Sequence, residues 1–262
     1  MLKNYIQYNT HQKNEIIVAL PALGERKEMY EHLANALPSV QIVAIDLPGH
    51  NGQLENDFSF QTYAKTIKEI MDHLQITKAH FLGNSIGAWM IQHFYVTYPS
   101  YVHSLTLLDG GYYFLGDEPK VMSEIQLPII GKIEDLQEAI RNEASSMEKL
   151  SVKCQQTVYE YFLHNFILEG NMYRHHSNEQ ALNYLSKTVV SKNYCIQQEG
   201  TLPILLVLAD DNQDESLHEK LQKFQELHPN SKTKIIHNSY HFLPLTNPVE
   251  AAKIIDYAVL KR

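Results

Sequence analysis

Ala79-His80-Phe81-Leu82-Gly83-Asn84-Ser85-Ile86-Gly87 (AHFLGNSIG) is the stretch of sequence that decides the fold. A short apolar run typical of a buried strand ends at Leu82, and a helical pattern runs from about Ile86 to Tyr98, where Pro99 stops it. Between them lies the pattern G-x-S-x-G. With 11 glycines and 15 serines in 262 residues, chance predicts about 0.03 such matches, so the motif indicates a specific turn.

The spacing of this motif has a physical reason. A serine in a sharp, strained turn needs neighbours without side chains two positions away on either side. Such a turn exposes the serine hydroxyl at the end of the sheet, and the N–H groups at the start of the following helix face the same point. The pattern therefore indicates a nucleophile at Ser85.

The rest of the chain has the composition of a globular protein. Hydrophobic residues make up 44% of the chain and charged residues 20%, which excludes intrinsic disorder and a multi-span membrane protein. A net charge of -8 without a basic cluster argues against nucleic acid or an anionic membrane as partner. Cys154 and Cys195 have no metal-type spacing and are interpreted as packing thiols. No basic leader or membrane span is seen, so we expect a cytoplasmic protein.

Apolar runs alternating with helical patterns predict an α/β fold with a mostly parallel, doubly wound sheet. The alternation stops between about 114 and 199, where the pattern is mainly helical and rich in aromatic residues, with helices expected at Ile133–Leu150, Val152–Leu168 and Asn178–Lys187. We interpret this part as a helical cap inserted into a single domain whose core is 1–113 and 200–262. The predicted buried strands are Glu15–Leu20, Gln41–Ile45, Ala79–Leu82, Ser104–Leu108 and Ile204–Leu208, with Tyr5–Asn9 as an antiparallel edge.

Beyond the serine motif, two further loops resemble those of the α/β-hydrolase superfamily. Asp46-Leu47-Pro48-Gly49-His50 is similar to the family's D-x-P-G-H-G loop, with Asn51 in place of the last glycine. Leu20-Pro21-Ala22-Leu23-Gly24 occupies the place of its H-G-x-G turn, with Pro21-Ala22 replacing His-Gly. The resemblance implies that the backbone N–H groups of Leu23 and Ile86 form the oxyanion hole.

The resemblance also implies a catalytic histidine and a carboxylate. His241, followed at the family's spacing by Pro248, resembles its G-H-x₆-P ending, with Tyr240 in place of glycine. The acid usually follows the strand that here ends at Leu208, which favours Asp211 or its neighbour Asp210. The alternative acid is Asp109, at the end of the preceding strand; Asn212 and Asp214 are weaker candidates.

These residues together imply a hydrolase of the carboxylesterase type, which cleaves a small or medium ester or thioester through a serine–histidine–acid triad. The expected partner is a small acyl substrate, and neither a metal nor an organic cofactor is expected. Two alternatives stay open: a serine-using carbon–carbon hydrolase or lyase, and a small-ligand receptor of the same fold with little turnover.

Overall fold

The computed structural model describes residues 4–12, 15–52, 57–112, 123–191, 202–210 and 217–257. Within these residues, the strands of the central sheet are β1 Tyr5–Tyr8, β2 Ile16–Leu20, β3 Gln41–Ile45, β4 Ala79–Asn84, β5 Val102–Leu108, β9 Ile204–Ala209 and β10 Lys232–Ile236. These seven strands lie in the order β1-β3-β2-β4-β5-β9-β10. All neighbouring pairs are parallel except β1 and β3, so the predicted parallel sheet with an antiparallel edge is confirmed.

Helices cover both faces of the sheet. In the described residues outside 123–191, the helices are α1 Glu31–Ala36, α2 Phe60–His73, α3 Ile86–Thr97, α7 Leu217–Leu227, α8 Leu243–Thr246 and α9 Pro248–Ile255, with short 3-10 helices at Lys27–Tyr30 and Pro99–Tyr101. Alternate residues of β2 enter different cores: Val18 and Leu20 pack with α2 and α3, whereas Ile17 and Ala19 pack with α1 and α9. This is why the strands are apolar at consecutive positions.

A second group of elements lies between β5 and β9, and we call its described part, residues 123–191, the insertion. It contains β6 Ile129–Ile130, α4 Ile133–Ser146, α5 Val152–Leu163, β7 Phe166–Glu169, β8 Met172–His175 and α6 Glu179–Ser191. The three strands form a separate antiparallel sheet in the order β6-β8-β7. The expected ends of the predicted cap, near 114 and 199, lie outside the described residues.

The prediction of a helix from Val152 to Leu168 is wrong at its C-terminal end. The helix stops at Leu163, and Phe166 to Glu169 pairs instead with Met172 to His175 as a hairpin. Gly170, with φ +63°, makes the tight turn, and a glycine at the first position of a two-residue loop is a hairpin signal. The apolar residues Phe166, Ile167 and Leu168 also fit a helical pattern, and for this reason the sequence predicts a helix here.

No helix in the described part of the chain is long and apolar enough to cross a membrane. Within the same residues, no group of three or more histidine, cysteine, aspartate or glutamate side chains is arranged to hold a metal ion. Cys154 is half-buried, with its Sγ 3.3 Å from the Thr246 carbonyl oxygen, and Cys195 lies outside the described residues.

Candidate active site

Ser85 lies in a strained turn between β4 and α3. Its backbone has φ 53° and ψ −122°. For any residue other than glycine this conformation is unfavourable in free energy, and it persists only where surrounding contacts enforce it. The Ser85 N–H donates to the Leu108 carbonyl at the end of β5 (2.8 Å). A Cβ atom on Gly83 would lie 2.3 Å from the carbonyl carbon of Gly87, so the two glycines of the motif touch, as its spacing predicts.

His241 is in the loop after β10 and is anchored beside this turn. The buried Asn84 side chain donates from Nδ2 to the His241 carbonyl oxygen (3.0 Å) and to the Leu108 carbonyl oxygen (3.0 Å). The residue before Ser85 therefore holds the backbone of His241 against the ends of β4 and β5. The His241 side chain is 40% exposed, which leaves its ring accessible to solvent.

Asp109, the first residue after β5, is the carboxylate that contacts His241. Its Oδ2 lies 2.6 Å from Nδ1 of His241, and its Oδ1 accepts from the N–H of Ala209 at 3.1 Å. Asp109 has φ 45°, a left-handed backbone conformation, so its side chain no longer follows the alternation of side chains along β5. A Cβ atom on the next residue, Gly110, would lie 2.4 Å from the Ser85 carbonyl oxygen, which puts the Asp109 loop in contact with the serine turn.

The favoured acid of the sequence analysis, Asp211, lies outside the described residues, as do Asn212 and Asp214. Its neighbour Asp210 points to another partner, because its Oδ2 is 2.8 Å from Nδ1 of His237 and its Oδ1 is 3.6 Å from Nζ of Lys149. The structure therefore brings the alternative carboxylate, Asp109, to His241.

The contact with Asp109 determines what the His241 ring can do. A carboxylate at Nδ1 is an acceptor, so the neutral ring carries its proton on Nδ1 and keeps a lone pair on Nε2. This tautomer is the one that can take a proton from a hydroxyl, and the carboxylate stabilises the imidazolium that results. The arrangement is suited to general-base activation of a serine.

The predicted oxyanion residues belong to two separate segments, the start of α3 and the turn that follows β2. Ile86 is the first residue of α3, where N–H groups have no partner inside the helix. Leu23 is the second residue of a four-residue turn closed by the Glu25 N–H donating to the Ala22 carbonyl (3.1 Å). Gly24 has φ +82° in this turn, which glycine adopts without strain. We call residues 22–25 the oxyanion turn, after the role predicted for Leu23.

The side chain of His50 supports this turn from the core. It is fully buried, its Nε2 accepts from the Gly24 N–H (2.9 Å), and its Nδ1 donates to the Pro48 carbonyl oxygen (2.9 Å). Burial lowers the pKa of His50 to about 4, so the ring is neutral near pH 7 and can be acceptor and donor at once.

The insertion contributes residues here that no motif in the sequence indicates. Tyr161, Asn165 and His176 are buried and hydrogen-bond the oxyanion turn or the residue after it. No spacing signal in the sequence could have found them, since each acts on a segment more than a hundred residues away. A cavity of about 370 Å³ opens beside this contact and is lined in part by Gly49, His176 and Leu127.

The comparisons with known proteins identify the family to which the fold belongs. Residues 15–248 match a family model described as the alpha/beta hydrolase fold, and the chain therefore belongs to that family. One solved structure, E-2-(acetamidomethylene)succinate hydrolase, superposes with a TM-score of 0.77 over 97% of this chain and 94% of its own, at 15% identity. The thioesterase domain of the curacin biosynthetic pathway gives 0.69 over 96% and 94%, at 16% identity. At these identities the likeness shows the fold alone.

Two curated relatives match shorter stretches. A Bacillus subtilis (strain 168) protein named "Putative 2-succinyl-6-hydroxy-2,4-cyclohexadiene-1-carboxylate synthase" is 29% identical over 99 residues, 36% of each chain. A 2-hydroxy-6-oxononadienedioate/2-hydroxy-6-oxononatrienedioate hydrolase of Pseudomonas sp is 34% identical over 73 residues, 27% of this chain and 26% of its own. The matched stretches thus span about a third or less of these relatives.

Proposed function

We propose that the protein is a serine hydrolase that cleaves a small or medium ester or thioester. The observation that carries this proposal is the position of Ser85 in a strained turn, beside a histidine whose Nδ1 is held by Asp109 at 2.6 Å. Strain at a single serine is expected at a functional site, where surrounding structure enforces it. The thioesterase domain of the curacin pathway shows that this fold can carry acyl-transfer chemistry of the same class.

The proposed reaction uses two steps. The Ser85 hydroxyl attacks the carbonyl carbon while Nε2 of His241 takes its proton, and the negative oxygen that forms accepts from the Leu23 and Ile86 N–H groups. His241 returns the proton to the leaving alcohol or thiol, which departs as the acyl-enzyme forms. A water molecule, activated by His241, then attacks the ester and releases the acid and Ser85.

The proposed substrate is a neutral or weakly charged acyl compound of modest size. The cavity of about 370 Å³ beside His176 is lined by residues of the 49–52 loop and of the insertion, and by neither Ser85 nor His241, so its volume does not measure the space around the serine. The chain carries a net charge of -8, which does not favour a strongly anionic ligand.

A serine-using carbon–carbon hydrolase or lyase is a second candidate. It is favoured by the two curated relatives, whose names describe a synthase of a cyclohexadiene carboxylate and a hydrolase of oxo-dienedioates. The same serine, histidine and aspartate could serve this chemistry, because it also needs a base and an oxyanion site at a carbonyl group.

The test is hydrolysis of a p-nitrophenyl ester series, from acetate to decanoate, by wild type and Ser85→Ala, together with fluorophosphonate labelling of both. Ser39→Ala, at an exposed serine, is the matched control. We expect turnover and labelling in wild type and Ser39→Ala, and neither in Ser85→Ala. Labelling without ester turnover would reject the ester hydrolase, and vinylogous diketones would then separate the carbon–carbon hydrolase from a ligand receptor. A wild type that shows neither would reject a reactive serine altogether.

A further inference from the structure

Gly24, the third residue of the oxyanion turn, is held on both sides by histidines. Its N–H donates to Nε2 of His50 (2.9 Å), and its carbonyl oxygen accepts from Nε2 of His176 (3.0 Å). His50 belongs to the core, but His176 belongs to the insertion, directly after β8. Pro21, at the start of this segment, has neither an N–H nor a polar side chain to fix the turn.

The insertion also binds the residues that follow Gly24. Asn165 donates from Nδ2 to the Glu25 carboxylate (3.0 Å) and accepts the Arg26 Nε–H at its Oδ1 (2.9 Å). The Tyr161 hydroxyl accepts from the Arg26 N–H (2.9 Å) and lies 3.1 Å from the Arg26 carbonyl oxygen. The backbone of His176 is tied to the same group, because its N–H donates to the Asn165 carbonyl (2.9 Å). Three consecutive residues are thus fixed from the insertion.

The hydrogen bond from His176 affects the orientation of the predicted oxyanion donor, the Leu23 N–H, through two planar peptide groups. The Gly24 carbonyl and the Glu25 N–H belong to one planar peptide group, so holding the carbonyl sets the direction of that N–H. The Glu25 N–H donates to the Ala22 carbonyl (3.1 Å). That carbonyl shares a second planar group with the Leu23 N–H and therefore sets its direction in turn.

The His176 ring is restricted to the tautomer that this contact needs. Its Nδ1 accepts from the Asn51 N–H (3.0 Å), so the proton of the neutral ring lies on Nε2, where the Gly24 carbonyl accepts it. Burial, followed by the neighbouring His175 and His50, lowers the pKa of His176 to about 2. The ring is therefore neutral at the pH at which a serine hydrolase works.

We propose that His176 is a positioning residue for the oxyanion turn: the insertion aligns the Leu23 N–H, and so completes the site of the hydrolase, through the hydrogen bond from His176 to Gly24. This inference rests on the proposed function. It assigns to the insertion a part in transition-state stabilisation.

Two substitutions isolate the Gly24 contact. In His176→Gln the side-chain amide reaches about as far as Nε2 and keeps a donor for the Gly24 carbonyl. In His176→Asn the amide ends near the position of Nδ1, so it can still accept from Asn51 but does not reach Gly24. The control is His80→Asn, since His80 is a buried histidine near the opposite end of β4 whose ring nitrogens contact Ser104 and Glu15.

We expect His176→Asn to lower kcat by roughly 10- to 100-fold, less than the ~10²–10³-fold that follows removal of an oxyanion donor, with KM within about twofold. His176→Gln should recover most of the lost kcat, and His80→Asn should keep the wild-type value. Esters and their thionoester analogues give a second readout, because a thiocarbonyl sulfur accepts hydrogen bonds poorly. The preference for the oxygen ester should fall in His176→Asn alone.

Unchanged kcat and oxygen-to-sulfur preference in His176→Asn, with normal wild-type turnover, would overturn this inference and leave the proposed function standing. The same follows if His176→Gln is as impaired as His176→Asn, since the donor to Gly24 would then not be the cause. A wild type without turnover or Ser85 labelling would overturn the proposed function and this inference together.

Discussion

Asp109 Oδ2 lies 2.6 Å from His241 Nδ1, while the other oxygen of the same carboxylate accepts from the Ala209 N–H. Asp109 thus joins the end of β5 to the end of β9 and to the loop after β10. A carboxylate fixed at one oxygen by a backbone donor has little freedom to leave the histidine. The relationship makes the end of β5, rather than the loop after β9, the proposed source of the acid.

Asp109→Asn should therefore reduce kcat by about 10³- to 10⁴-fold, because an amide in this position no longer selects the Nδ1–H tautomer or stabilises the imidazolium. Steady-state ester hydrolysis measures the effect. Asp210→Asn is the matched control, since Asp210 pairs with His237 and Lys149 instead, and it should change kcat less than threefold. Asp211→Asn tests the acid that the sequence favoured, and a larger loss there than at Asp109 would reject our assignment.

The choice between these carboxylates shows where sequence reasoning stops. The buried strands could be predicted because strands covered on both faces are apolar at successive positions, and the serine turn could be predicted because its glycines must touch. Two neighbouring strands, however, end in aspartates at the same edge of the sheet. Which of the two carboxylates contacts His241 depends on the positive φ of Asp109. The two glycines that follow Asp109 are only a weak indication of that backbone conformation.

The contribution of the insertion was less predictable still. The hairpin from Phe166 to His175 is not predicted from the sequence, because its strands are short and largely exposed and the apolar run Phe166 to Leu168 also fits a helix. The importance of His176 depends on its meeting Gly24, 152 positions earlier. Contacts of this kind follow from how the insertion packs on the core, which local patterns do not encode.

Lys27 and Asp46 form a buried ion pair that supports the D-x-P-G-H loop. Their Nζ and Oδ2 are 2.6 Å apart, with 7% and 0% of the side chains exposed. Lys27→Met should lower the free energy of unfolding by about 3–5 kcal/mol, because it leaves the Asp46 carboxylate buried without its counter-charge. Urea unfolding measures this. Lys65→Met removes an exposed pair with Glu69 and should cost less than about 0.5 kcal/mol; equal losses in both variants would exclude a special role for the buried pair.

The buried histidines should make the fold sensitive to acid. Burial lowers the pKa of His50 to about 4 from an ordinary value of 6.5. Between pH 6.5 and 4 the unfolded chain therefore binds a proton at this position that the native chain excludes, so stability falls as the pH is lowered through this window. His50→Gln should flatten the dependence of unfolding free energy on pH there by up to about 1.4 kcal/mol per pH unit. His32→Gln, at an exposed histidine, is the control, and parallel curves for wild type and His50→Gln would refute the expectation.

Glu25 should have the opposite dependence on pH. It is buried beside the oxyanion turn, and burial raises its pKa to about 7 from 4.5, although the Asn165 amide hydrogen-bonds its carboxylate. Below pH 4.5 both states hold the proton and Glu25 has no effect. Between pH 4.5 and 7 the unfolded chain ionises first, so stability falls as the pH rises, and above pH 7 the full cost of about 3 kcal/mol is present.

Glu25→Gln removes this cost and keeps an oxygen that can accept from Asn165. The variant should match wild type in stability at pH 4 and exceed it increasingly up to pH 8, as measured by urea unfolding at both values. Glu138→Gln, on the exposed face of α4, should follow wild type throughout. A variant that is less stable than wild type at pH 8 would mean that the ionised carboxylate is held favourably, with Arg26 as its counter-charge, and that Glu25 strengthens the contact between the insertion and the oxyanion turn.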